Sequence, residues 1–455
     1  MAWRRSEGTR AVDRQILALA VPAFLALVAE PLFLLADSAV VGHLGTTELA
    51  GLGIASVVLR LAVGLCVFLA YATTAAVARE LGAGQPRRAL QQGVDGLWLA
   101  LGIGVVLSTV GVLTTAPLVD LFGTDAEVAA AATTYLRISW LGLTPMLLLL
   151  AATGVLRGMA DTRTPLVVAV AANLLNIVLN VVLVYGFDLG IGGSAAGTVI
   201  AQGAAGAYLA GAVLRAAAAQ GATWHPDLPG VRRSARAGSP LLVRTLNLHA
   251  CLLTMTWGAA ALGTVATAAH QLAFTLWTFL AYALDALAIA AQTLTGTALG
   301  AGDLDRTRSL TRRMIRLGLG FGVLTGVVLA LGAPVLGGLF VDDPAVVDAL
   351  APALLVAAVA QPLAGVVFVL DGILIGAGDG PYLAKAGTLV TVAFVPCALV
   401  VASVTDDLGA TAGLVWLWVA FCVVFMGGRA AVLLRRARGN AWMVTGSAVA
   451  ASPPH

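Results

Sequence analysis

The sequence predicts an all-α polytopic membrane protein of twelve transmembrane helices in two six-helix lobes related by a parallel repeat. Three observations predict it. Of the 455 residues, 60% are hydrophobic and 11% charged, with a mean hydropathy of +0.95, which no soluble domain of this length carries. Apolar stretches of about 20 residues, the length that about 30 Å of hydrocarbon demands at about 1.5 Å per residue, recur along the whole chain. The second half repeats the first at one fixed offset.

The first six apolar stretches run near 16–41, 49–77, 93–118, 128–153, 164–185 and 194–216. The second six run near 238–262, 266–292, 314–336, 346–374, 384–404 and 410–433. The start is too basic and the first stretch too long for a cleaved signal peptide, so that stretch is read as helix one. Residues 1–216 form an N-lobe, 217–237 a flexible cytoplasmic link, 238–433 a C-lobe and 434–455 a cytoplasmic tail.

Charge orients these spans. With the N-terminus inside, the inner segments collect Arg4, Arg5, Arg10, Arg14, Arg79, Arg87, Arg88, Arg157, Arg163 and Arg215 in the first half. In the second half they collect Arg232, Arg233, Arg236, Arg306, Arg308, Arg312, Arg313, Arg316, Lys385, Arg429, Arg435, Arg436 and Arg438. Outer loops hold Glu48, Asp120, Asp125, Glu127, Asp188, Asp342, Asp343, Asp406 and Asp407, with no Lys or Arg. This is the positive-inside pattern. The net charge of +3 reflects the inner bias and gives no reason to expect nucleic acid. Cys66, Cys251, Cys397 and Cys422 fall in spans without close-spaced pairs, so neither a disulfide framework nor a zinc site is expected.

A shift of 218 residues places Pro22 on Pro240, Gly45 on Gly263, and Leu81-Gly82-Ala83-Gly84 on Leu299-Gly300-Ala301-Gly302. The same shift places Leu121-Phe122 on Leu339-Phe340, Asp125 on Asp343, Gly158 on Gly376 and Asp161 on Asp379. With a slip of one, Asp188-Leu189-Gly190 falls on Asp407-Leu408-Gly409. Six spans per copy is an even number, so both copies keep one orientation and a substrate is expected between them.

An ionisable side chain at a span centre costs roughly 2.5–3.5 kcal/mol, so each needs an account. Glu30 and Asp37 lie seven residues apart on helix one, nearly one face, and Pro22 and Pro31 each remove a backbone donor from the same helix. Asn173, Asn176 and Asn180 form a polar stripe on helix five. Asp37, Asn180 and Thr198 lie at similar depth from the outer ends of their spans, with Asn176 a turn deeper, so they are placed to converge. Glu30 has a plainer reading, neutralisation by Arg60 at similar depth on helix two. The Asn stripe has one as well, interhelical hydrogen bonding. Arg137 has no evident mate, and Arg244 is near enough to the inner surface to snorkel. The second half carries His270, Gln271, Asp285 and Gln292 on helix eight and Asp371 on helix ten. Asp285 is a weaker candidate for a second titrating site. Asp371, near the cytoplasmic end, is read as structural.

The segment EPLFLLADSAVVGHLGTTELAGLG at 30–53, with LGAGQPRRA, VLRGMADTRTPL, LDALAIAAQTLTG and FVLDGILIGAGD, resembles the multidrug and toxic compound extrusion (MATE) transporters, in particular their DinF-like prokaryotic branch. That resemblance implies the MATE fold and cation-driven export of amphipathic drugs across a bacterial cytoplasmic membrane, with both termini cytoplasmic. Residue by residue it implies that Asp37 is the essential acid of helix one and Pro22 the proline at which that helix bends. It places Asn176 and Thr198 in a cation site. Asn180 stands where some relatives have a second acid, and the C-lobe acids of the NorM-like branch have no counterpart here.

The expected activity is H⁺/drug antiport. Asp37 takes a proton from outside, releases the Asn176, Asn180 and Thr198 network, and lets helix one bend near Pro22. Na⁺ coupling at the same four residues is the alternative. A flippase of lipid precursors would want more intramembrane cations than Arg60, Arg137 and Arg244. An intramembrane enzyme is disfavoured because no His-Glu-x-x-His, Gly-x-Ser-x-Gly or paired-Asp signature occurs in the spans. A major-facilitator transporter is disfavoured by the second inner loop, GAGQPRRA at 82–89. No cofactor beyond the coupling ion is expected. The expected partners are a drug-like small molecule and membrane lipid, around a monomer.

Overall fold

The computed structural model describes residues 2–404 and 409–447, with backbone only for 2–9 and Glu30. The calls on Arg4, Arg5, Asp406, Asp407 and the Glu30 side chain therefore fall outside the described residues. Among those described there is no strand, and twelve long helices follow one another. They are α1 (Ala2–Gly42), α2 (Thr46–Gly82), α3 (Pro86–Asp120), α4 (Ala126–Gly158), α5 (Arg163–Gly186) and α6 (Gly190–Ala219). The second six are α7 (Leu228–Ala261), α8 (Thr264–Gly300), α9 (Leu304–Phe340), α10 (Pro344–Gly376), α11 (Gly380–Val404) and α12 (Ala410–Arg438). Eleven are long and apolar enough to cross a membrane. The exception is α7, whose 34 residues include Arg232, Arg233, Arg236, Arg244, Asn247 and His249. The chain is thus a multi-pass, all-α membrane protein.

Two compact units result. One is Val21–Ser239; the other joins residues up to Ala20 to those from Pro240 on. Each boundary falls beside one of the paired prolines, Pro22 and Pro240, so the first turns of α1 pack with the second half of the chain and those of α7 with the first. Within the second unit, Arg313 of α9 grips Asp13 of α1 through two hydrogen bonds of 2.6 and 2.5 Å. Within the first unit, the segment before α7 is fixed to α3. The Gln91 side chain accepts from the backbone and hydroxyl of Thr223, and Trp98 donates to the Trp224 carbonyl at 3.0 Å. The link is therefore shorter than the expected 217–237, because α7 is already helical at Leu228. Its first turns are polar, and apolar length cannot reveal a helix that ends in water.

Packing within each unit relies on close helix approach. Gly318, Gly322 and Gly326 line one face of α9 at four-residue spacing against the α10 backbone. This is the small-residue pattern by which helices gain van der Waals contact in lipid. A methyl added at Gly322 would lie 2.4 Å from the Gln361 carbonyl oxygen. The repeat places Gly104 at the equivalent point of α3, where an added methyl would lie 2.8 Å from the Thr144 Cα of α4. Overpacking of this kind costs about 1–3 kcal/mol. Gly322→Ala is expected to lower the thermal midpoint of the detergent-purified protein. Gly320→Ala, whose methyl meets nothing within 4 Å, is expected to leave it unchanged or slightly raised.

Candidate functional site

Near the C-terminal end of α1 the first unit contains a buried carboxylate whose hydration is replaced by protein donors. Asp37 is 2% exposed and lies five residues from the end of α1. Its Oδ1 accepts from Asn180 Nδ2 of α5 at 2.6 Å and from Ser194 Oγ of α6 at 2.7 Å. Its Oδ2 accepts from the Tyr135 hydroxyl of α4 at 3.0 Å. Four helices thus meet at one carboxyl group. Such bonds to an ionised acceptor are stronger than neutral ones, which offsets part of the cost of burial.

A second layer continues inward. Asn180 Nδ2 also reaches Asn176 Oδ1 at 3.2 Å, and Asn176 Nδ2 donates to Thr198 Oγ1 at 2.9 Å. The four residues expected to converge, three at similar depth and Asn176 a turn deeper, therefore form one chain, Asp37 to Asn180 to Asn176 to Thr198. The same spacing leaves Asn173 outside it, since its amide donates to the Ala29 carbonyl of α1 at 2.9 Å. The Tyr185 hydroxyl, in the π-helical end of α5, donates to the Val40 carbonyl at 2.7 Å. Together with Asn180 these bonds tie α5 to α1 at three heights.

The two donors that sequence reasoning missed, Tyr135 and Ser194, differ in how they might have been found. Ser194 precedes Thr198 by four residues and so shares its face of α6. A tyrosine near the N-terminal end of α4 has no such local mark. Gly197 matters for room, because a methyl there would sit 2.6 Å from Asn180 Oδ1. That oxygen is buried and accepts no hydrogen bond among the described residues.

A cation at this point would have one carboxylate and the neutral oxygens of Asn176, Asn180 and Thr198. Among the described residues no three His, Cys, Asp or Glu side chains gather as a metal-binding group. Pro22 and Pro31 both lie within the single helix α1. Arg60 and Arg137 are exposed. In the second unit Asp285 is half-buried and His270 fully buried. Arg244 has an ion-pair partner inside its unit. Asp371 accepts from it through both oxygens and also pairs with Arg429 at 3.3 Å, so an arginine read as an inner-loop charge is buried in the helix bundle.

Beside the inner end of the Asn176–Thr198 bond, a groove of about 430 Å³ runs between α5 and α6. Leu175 and Ala201 stand near one end and Arg163 at the other.

Comparison with known proteins accords with this architecture. A model of the MatE family matches twice, at residues 22–182 and 240–404, with the two matches starting at the paired prolines. DNA damage-inducible protein F of Escherichia coli is 32% identical over 382 residues, covering 80% of this chain and 81% of its own. Protein DETOXIFICATION 44, chloroplastic, of Arabidopsis thaliana is 31% identical over 398 residues, covering 84% and 75%. Among solved structures, the Vibrio cholerae MATE transporter VcmN in the bent form superposes with a TM-score of 0.84 at 23% identity, covering 95% of this chain and 99% of that one. With both halves matched and the fold shared, the chain belongs to the MatE family of transporters.

Proposed function

We propose that the protein is a multidrug efflux transporter of the cytoplasmic membrane that exchanges protons for amphipathic compounds, with Asp37 as the coupling group. The observation that carries this reading is the buried Asp37 carboxyl held by donors from α4, α5 and α6. Oδ1 takes two donors, one of them an amide that can only donate. Oδ2 takes one, a phenol that can turn and accept. A proton arriving at Asp37 therefore goes to Oδ2, with the Tyr135 hydroxyl reversed. The neutral acid then holds Asn180 less strongly, which loosens α5 from α1. Helix α1 can change its bend at Pro22, beside the point where it passes from one unit to the other. Proton and substrate favour different arrangements of the same helices, so they compete. The apolar groove between α5 and α6 offers an amphipathic compound its surface, and its volume falls in the range of small-molecule sites.

Sodium coupling is kept as a second reading for one observation: the buried Asn180 Oδ1 lacks a hydrogen-bond partner beside the oxygens of Asn176 and Asp37. Vesicles reconstituted with the protein separate the two. The proton reading expects uptake of a fluorescent cationic drug under an imposed pH gradient without sodium, and loss of it in Asp37→Asn at normal protein levels. Uptake that follows only a sodium gradient at fixed pH selects the alternative, and full activity in Asp37→Asn removes both. Gly197→Ala, which pushes the Asn180 amide off its position, is expected to slow export at least tenfold, for about 1.4 kcal/mol of lost coupling, without changing protein level.

A further inference from the structure

The first turns of α7 form a basic face that the transport reading does not use. Gly230 and Gly238 lie on the opposite side of the helix and are buried. A methyl at Gly230 would collide with the Asp95 carboxylate of α3, and one at Gly238 would lie 2.8 Å from the Phe68 ring of α2. The helix start is already capped: Asp227 Oδ2 accepts from the Gly230 amide at 3.2 Å, and the Asp227 carbonyl from the Val231 amide at 2.8 Å. These contacts fix the rotation of the segment and turn Arg232, Arg233 and Arg236 outward, where all three are exposed.

A groove of about 470 Å³ opens among these side chains, lined by Leu228, Pro229, Arg232, Arg233 and Arg236. Arg233 pairs with Asp227 at 3.2 Å, whereas Arg232 and Arg236 make no ion pair among the described residues. Even with the buried Asp95 counted, the three guanidiniums outnumber the two carboxylates. Beside them Trp224 and Leu228 are 64% and 76% exposed. Exposed tryptophan and leucine next to arginines are the composition of a membrane–water boundary. The depth agrees, because α3 sets it: its apolar stretch begins near residue 93, Trp98 donates to the Trp224 carbonyl at 3.0 Å, and Asp95 abuts Gly230. The segment from Trp224 to Gly230 therefore lies level with the edge of the hydrocarbon.

We propose that this face binds the headgroup of an anionic phospholipid, its phosphate held between the guanidiniums of Arg232 and Arg236, one turn apart, with Trp224 and Leu228 against the glycerol and upper acyl chain. Arginine suits the task because its planar fork meets phosphate oxygens in pairs. The bound lipid holds the first turns of α7 to the bilayer just before Pro240, where the helix passes from one unit to the other. The repeat keeps only part of the face: Arg14, Gln15 and Ala18 stand at the counterparts of Arg232, Arg233 and Arg236. The site is independent of how export is driven.

The test is photo-crosslinking of the full-length protein in phosphatidylcholine nanodiscs that contain a small fraction of phosphatidylglycerol with a photoactivatable headgroup. A phosphatidylcholine probe of the same design is the control, and labelled peptides are mapped by mass spectrometry. In about 0.1 M salt the anionic probe is expected to label residues 224–236 about tenfold more than the control, the preference that two such guanidiniums give at a membrane surface. Arg232→Gln/Arg236→Gln is expected to bring that segment to the control level and leave labelling elsewhere unchanged. Equal labelling by both probes in the unaltered protein overturns the proposal and leaves the face to water. A preference kept in the double variant also overturns it, by placing the headgroup elsewhere. Loss of the preference in excess inorganic phosphate at constant ionic strength overturns it as well, by assigning the face to a free anion. If the double variant does not fold, the salt series on the unaltered protein decides: a preference that falls several-fold in about 1 M salt supports the site, and one that persists rejects it.

Discussion

A carboxylate taken out of water must find donors in the protein, and much of the first unit is arranged to supply them. Asp37 draws Asn180, Ser194 and Tyr135 from three helices. Their positions in turn set the contacts of α1 with α4, α5 and α6. Apolar helix faces alone do not fix rotation or register in lipid, since hydrocarbon on one side differs little from hydrocarbon on the other. Directed hydrogen bonds do. The Asn173–Ala29 and Tyr185–Val40 bonds repeat the logic on either side of the acid, so α1 and α5 are indexed against one another along their C-terminal halves.

The two halves share a frame and differ in charge. Paired prolines, paired helix-start glycines and matched close contacts at Gly104 and Gly322 show one ancestral six-helix plan used twice. Met255 occupies the position equivalent to Asp37, and Thr153 the position equivalent to Asp371. Only the first unit therefore carries an acid at the Asp37 position, and only the second carries the Arg244–Asp371 pair. A repeat constrains packing, where the same backbones must approach, far more than it constrains the few positions that carry polar chemistry.

Much of this was legible before any coordinates. Helix number, order and the repeat follow from apolar length and collinear matches, because lipid forces every span to be long, helical and apolar. Asp37, Asn176, Asn180 and Thr198 could be grouped because depth along a span is a coordinate the sequence supplies. Tyr135 could not, since its tie to Asp37 crosses 98 residues of chain and depends on how α4 turns its faces. Asn173 shows the converse limit: equal spacing put it on the acid's side of α5, yet the nearest acceptor was a backbone carbonyl. The early start of α7 was missed because its first turns are polar, and Arg429 was assigned to the inner surface because arginines near helix ends usually reach it.

The central claim, that proton and substrate compete through one carboxyl group, is tested most directly by counting protons as substrate binds. Purified transporter in weakly buffered detergent solution is titrated with a cationic substrate while pH is recorded, over a pH range in which the Asp37 carboxyl is protonated. The account predicts release of about one proton per substrate bound and none in Asp37→Asn at matched substrate occupancy. Substrate binding with no proton release in the unaltered protein, or with equal release in both proteins, would contradict it.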